Sequence, residues 1–168
     1  MHHSEFVRVM ASIYKPRLYV ELGLYKGETW YKVLPHCQAA YGVDVVDRDI
    51  KGNVHIMTTD QFFSKFPKDE KIDMAFIDAD HSYESCKKDF FNCLERLSDG
   101  GVIIMHDTDP VKDSLFDKGY CGDSYKIVDL LERNYGDSLN IVTLPVAEAG
   151  VSIITKKGDT RVLLRGVE

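Results

Sequence analysis

The stretch FIDADHSYE, residues 76–84, sets Asp78, Asp80 and His81 where an apolar run stops. Carboxylates accept hydrogen bonds and imidazole titrates near neutrality, so this group suits proton transfer or metal binding. Asp and Ser are also good helix caps, and a plain strand-to-helix turn accounts for the same residues. A second polar group, HDTD at 106–109, closes another apolar run with His106 and Asp107. ELGLYKGET, 21–29, follows a third run and carries Glu21, Gly23 and Gly27. Gly23 lets the chain turn tightly against a ligand, and Gly27 is placed to open a helix. Asp44 and Asp60 stand at the ends of two further runs.

The glycines are spaced G-x-x-x-G with Tyr25 between them. A dinucleotide fingerprint needs G-x-G-x-x-G for close approach to a pyrophosphate, which counts against a nicotinamide oxidoreductase. An acid at Glu21 suits an amine or cation better than a phosphate. Asp44, at the end of the second strand, is placed to bond ribose hydroxyls, and Asp60 is placed for the base of the same ligand or to cap a helix. A positively charged nucleoside fits such an acidic rim, and S-adenosylmethionine (SAM) is one.

These residues need a frame that brings them to one edge. Seven apolar runs, at 17–24, 39–46, 53–58, 72–79, 101–107, 139–146 and 151–157, read as strands, several of them apolar on both faces. Between them lie helical patterns, the clearest being SYESCKKDFFNCLERL (82–97), with Tyr83, Cys86, Phe90, Cys93, Leu94 and Leu97 on one face and charged residues opposite. Thr59 reads as the N-cap of TDQFFSKF. Strands separated by helices predict right-handed crossovers and a parallel sheet. Only AEAG separates the last two runs, so they must form an antiparallel hairpin. The predicted fold is α/β: a doubly wound, seven-stranded, mostly parallel sheet with a C-terminal antiparallel hairpin. Ligands of such sheets sit outside the carboxyl ends of the strands, where all the acids named above fall.

The chain of 168 residues predicts one domain, 1–168, and carries a net charge of −6 with no clustered basic face, which speaks against nucleic-acid partners. No apolar run reaches the roughly 20 residues of a membrane span, and the N-terminus lacks a signal-peptide pattern, so the expected location is cytoplasmic. His2 and His3, native or vector-derived, carry no weight in this reading. Cys37, Cys86, Cys93 and Cys121 make no C-x-x-C pair and read as free thiols. The irregular stretch 108–125, with Lys112, Phe116, Lys118, Tyr120 and Tyr125, is placed to form a lid over a small-molecule acceptor.

YVELGLYKGET, YGVDVV, AFIDADHSYESCKKDF and LSDGGVIIMHDT together resemble, in order and spacing, class I SAM-dependent methyltransferases. They are most similar to the small-molecule group whose fourth strand ends in I-D-x-D/S-H-S/x-Y, which includes metal-dependent O-methyltransferases of macrolide sugars. The resemblance implies SAM in the crevice, with Glu21, Gly23 and Gly27 near its methionine part, Asp44 at the ribose and Asp60 near the adenine. It also implies a divalent ion (Mg, Mn or another transition metal) on Asp78, His106 and Asp107, with Asp78 bordering the cofactor as well. His81 takes the place of the general base. His106 stands where the metal-dependent relatives carry a carboxylate; a mixed N/O set favours a transition metal over Mg, and the alternative is that no metal binds and His106 pairs with Asp107 or with the acceptor. The implied activity is methyl transfer to a hydroxyl of a small molecule or sugar. Composition gives no nucleic-acid or membrane partner, and the oligomeric state is left open, a homo-oligomer joined through the first helix or the closing hairpin being one form. The competing reading is a module that holds SAM or S-adenosylhomocysteine without turnover.

Overall fold

The computed structural model describes residues 1–117 and 119–158, so Lys118 of the expected lid lies outside the described residues. The elements run α1 (His3–Tyr14), β1 (Leu18–Leu22), α2 (Glu28–Val33), β2 (Ala39–Asp44), β3 (Val54–Ile56), α3 (Thr59–Lys65), β4 (Ile72–Ile77), α4 (Tyr83–Arg96), β5 (Leu97–His106), α5 (Lys126–Tyr135), β6 (Leu139–Leu144) and β7 (Val151–Lys156). They form a seven-stranded sheet in the order β3-β2-β1-β4-β5-β7-β6. β1 to β5 are parallel to their neighbours, and β7 is antiparallel to both β5 and β6. This is the doubly wound sheet with a closing antiparallel hairpin that the apolar runs predict.

Alternation along the strands builds a core on each side of the sheet. Leu18, Val20, Leu22, Ile77, Ile103 and Met105 pack with Phe62 and Phe63 of α3, Phe90 of α4 and Ile127 of α5. Tyr19, Met74, Phe76 and Ile104 turn the other way, onto Val7 and Ala11 of α1 and Trp30 and Val33 of α2. With both faces covered, every residue of β1 is buried, including Glu21. That is why the central strands read as unbroken apolar runs.

Three local expectations change. No helix joins β2 to β3: residues 45–53 form a loop in which the Asp47 carboxylate accepts the Asp49 amide at 2.9 Å. Such an Asx turn offers the backbone an alternative to helix. The cap of α3 is Thr58, one residue earlier than expected. Thr58 and Gln61 exchange side chain-to-backbone hydrogen bonds at 3.1 and 3.2 Å. Not all the charge of α4 faces solvent, because Asp89 is 2% exposed. It stands three residues after Cys86 and four before Cys93, which places it on the buried stripe.

Candidate functional site

The carboxyl ends of β1, β2 and β4, the turns after β3 and β5, and the start of α1 enclose a cavity of about 1220 Å³. Its base at β1 depends on a close backbone approach. Gly23 has φ +85°, and a Cβ there would lie 2.0 Å from the Asp78 carbonyl oxygen. Only glycine lets the β1 and β4 ends meet this way. Gly27, at φ +75°, opens α2 but lies outside the cavity lining.

Glu21 lines the cavity from within β1, where the Tyr19 hydroxyl donates to it at 2.7 Å. Burial pushes its carboxyl up to about 8, so at neutral pH it is largely uncharged. The expected anionic partner for a cation is therefore mostly a neutral acid in the free protein. Asp44 fastens the β1–α2 turn to the end of β2. Its carboxylate accepts the amides of Leu24, Tyr25 and Val46 at 2.8–3.0 Å and Arg48 at 3.2 Å. The Asp60 side chain is 61% exposed and faces Lys88 at 3.6 Å, on the first turn of α3.

Next to the Gly23 turn, the ends of β4 and β5 bring the predicted chemistry together. His106 Nδ1 lies 3.2 Å from Oδ1 of both Asp78 and Asp107. His81 Nε2 lies 3.7 Å from Asp78 and 3.3 Å from Asp107. Asp78 is partly buried, and the desolvation by itself would raise its pKa, but hydrogen bonds from His106 and His81 hold it well below the usual carboxylate range. The same contacts, led by Asp78, raise His81 to about 9 against the effect of its burial. His81 is thus an imidazolium in the free protein at neutral pH. Asp107 adopts φ +59°, a left-handed backbone that aspartate tolerates better than most residues.

The ring of His81 is held from behind by the segment 120–124. Its Nδ1 donates to the Tyr120 carbonyl, which can only accept, so the proton on Nδ1 is fixed and Nε2 is the atom turned to the carboxylates. The His81 carbonyl in turn accepts the amides of Asp123 and Ser124, each at 3.1 Å. Asp123 accepts the Tyr83 amide at 2.7 Å, and the Ser124 hydroxyl donates to the Asp107 carbonyl at 3.0 Å. The second half of the expected lid is therefore a clamp on the site.

Asp78, His81 and Asp107 can each present a ligand atom within 4.8 Å of the others. Two carboxylates and an imidazole fit a divalent cation, and the nitrogen donor favours a transition metal over Mg. The converging histidine in that set is His81. His106 faces both carboxylates through Nδ1, and its Nε2 is buried without a partner.

One contribution escapes the sequence reading. His3 lines the cavity, lies with its ring tilted against that of His106 at a centroid separation of 4.1 Å, and sets Nε2 3.9 Å from Asp78. Desolvation and the neighbouring His106 lower its pKa to about 4, so it is neutral. The start of α1 is tied down by the Ser4 hydroxyl, which donates to Glu28 at 2.9 Å and accepts from Lys32 at 2.8 Å. The only signal available was the pair of histidines immediately before a helix.

Residues 20–108 match the family described as a methyltransferase domain. The chain belongs to that family. Its fold is shared with an O-methyltransferase from Bacillus cereus in complex with S-adenosylhomocysteine, at 17% identity and TM-score 0.68, covering 92% of this chain and 80% of that one. The O-methyltransferase TomG from Streptomyces achromogenes, in complex with SAM, matches at 14% identity and TM-score 0.68, over 93% and 80%. The N-methyltransferase NodS from Bradyrhizobium japonicum matches at 15% identity and TM-score 0.61, over 92% and 93%. Among curated sequences, the uncharacterized protein y4gI of Sinorhizobium fredii is 24% identical over 139 residues, 65% of this chain. The chain spans about 15% of that relative's length. Among the described residues, no helix of the chain is long and apolar enough to cross a membrane.

Proposed function

We propose that this methyltransferase carries a methyl group from SAM to a hydroxyl of a small molecule or sugar. The observation that carries the reading is the convergence of Asp78, His81, His106 and Asp107 in one cavity that the Gly23 turn and Asp44 also line. The methionine part would lie over the Gly23 turn, and the ribose would meet Asp44 by displacing Arg48, its one side-chain donor. In the transfer, the oxygen–carbon bond forms as the sulfur–carbon bond breaks, and the hydroxyl proton must leave. His81 Nε2 is the atom placed to take it, once it has released the proton it carries in the free protein, since Nδ1 is committed to Tyr120. A divalent ion on Asp78, His106 and Asp107 would supply Lewis-acid polarisation of the hydroxyl and, by engaging the carboxylates that hold the His81 proton, leave Nε2 free to act as base. Alignment of acceptor and methyl donor by the cavity walls contributes alongside base catalysis.

The imidazolium state of His81 favours a second reading, a module that binds SAM or its product without turnover. Thermal unfolding with S-adenosylhomocysteine, with EDTA or with Mn²⁺, separates the parts of the proposal. Ligand at 100 times its Kd adds about 2.7 kcal/mol of stability. A rise with S-adenosylhomocysteine, and a further Mn²⁺-dependent rise lost in Asp107→Asn, supports cofactor and metal together. No rise with S-adenosylhomocysteine overturns the reading. Methyl transfer from labelled SAM to a panel of hydroxylated acceptors then distinguishes enzyme from module.

A further inference from the structure

We propose that Asp89, on the buried side of α4, recognises the nucleoside base, its carboxylate accepting a hydrogen bond from the exocyclic 6-amino group of adenine. This rests on the reading that the cavity takes SAM. The same cavity is lined by Val45, Met57, Thr58, Asp60, Ala79 and Asp89, from the segments after β2, β3 and β4 and from α4. Apolar groups on Val45, Met57 and Ala79 suit the faces of a flat base, and a polar group in the same cavity is needed to read its edge.

Asp89 is the carboxylate there with a vacant acceptor. Its Oδ1 is buried with no hydrogen-bond partner, the one such carboxylate oxygen among the described residues. Buried polar groups are nearly always paired, so an orphaned oxygen on a cavity wall calls for a donor from outside the chain. A carboxylate only accepts, and the donor must therefore be an N–H or O–H of the ligand. The other acids are committed. Asp44 holds four donors, Asp78 and Asp107 hold imidazoles, Asp80 accepts the Ser82 amide, Glu21 accepts from Tyr19, and Glu28 accepts from Ser4 and Lys32. Asp60, which the family resemblance places near the adenine, is largely exposed and faces Lys88. The Asp89 carboxylate is not wholly free, since the Thr59 side chain hydrogen-bonds to it and lowers its pKa, but Oδ1 stays without a partner; burial still raises the group to about 6, mainly ionised at neutral pH.

The test compares S-adenosylhomocysteine with its analogue carrying hydrogen in place of the 6-amino group, each titrated calorimetrically into the full chain. The wild type should prefer the amino compound by at least about tenfold, the effect of one hydrogen bond to a charged acceptor. Asp89→Ala should bring the ratio close to one. Asp89→Asn, whose amide oxygen still accepts, should keep part of it, and Asp60→Ala should leave it intact. Melting curves identify variants that do not fold, and the wild-type ratio is read independently of them. Equal binding of the two compounds by the wild type, a preference that survives Asp89→Ala in folded protein, or one abolished by Asp60→Ala overturns the inference while leaving the SAM reading standing. If the wild type binds neither compound, both fall.

Discussion

At the scale of single residues, the site is governed by what burial does to charge. Glu21 and Asp78 stand on adjacent strands, yet one is held mostly neutral and the other strongly ionised. The difference lies in their neighbours: a phenol beside Glu21, imidazoles beside Asp78. This gives a prediction with a definite sign. Between its ordinary 4.5 and about 8, Glu21 keeps in the folded state a proton that the unfolded chain has released. Stability from this group therefore falls as pH rises across that window, by up to about 1.4 kcal/mol per pH unit. Glu21→Gln cannot titrate. Its stability relative to wild type, measured by urea unfolding at pH 5 and pH 8, should improve toward the higher pH. A constant difference between the two proteins would contradict the assignment.

At the scale of elements, the decisive joint is the one between the segment 120–124 and the start of α4. Gly122 has φ +55°, and a Cβ there would lie 2.4 Å from the His81 carbonyl oxygen. Gly122→Ala should cost on the order of 1–3 kcal/mol and loosen the ring of His81 as well. The check is a melting curve together with the NMR signal of the His81 Nδ1 proton. That signal should be sharp and protected from exchange in wild type and lost in the variant.

The elements also show what could be read from the sequence and what could not. Asp78, His81, His106 and Asp107 were legible because strand ends bring short, nearby segments to one edge. The strands themselves were legible because both faces of β1, β4 and β5 are buried. His3 was not, since it reaches the site only when α1 packs over Phe76 and Ile104, a tertiary fact. The commitments of Asp44 to amides of the β1–α2 turn were hidden for the same reason. Asp89 was within reach: its spacing from Cys86 and Cys93 marks the buried stripe, but a carboxylate is ordinarily assigned to solvent. The cap at Thr58 was missed by one residue because either threonine can serve until the bond to Gln61 is seen.

At the scale of the whole molecule, the site depends on a sheet closed by its last strand. β7 lies between β5 and β6, and Val151 pairs with His106 itself. A chain ending at residue 147 would lose that pairing and uncover Ile104 and Met105 along the flank of β5. Such a truncation should show no cooperative thermal transition, whereas a chain ending at residue 158 should melt cooperatively. Retention of a sharp transition in the shorter chain would mean that β7 is dispensable.

The same placement sets an order of events during synthesis. Chains emerge from the ribosome N-terminus first, and domains begin to fold as they appear. Here β1 to β5 are available early, but the flank of β5 stays open until the final described strand is released and slides between β5 and β6. An open strand edge invites pairing with other chains. The nascent protein is thus exposed to misassembly until residues 151–156 have left the ribosome, and the strand that ends this exposure also braces His106.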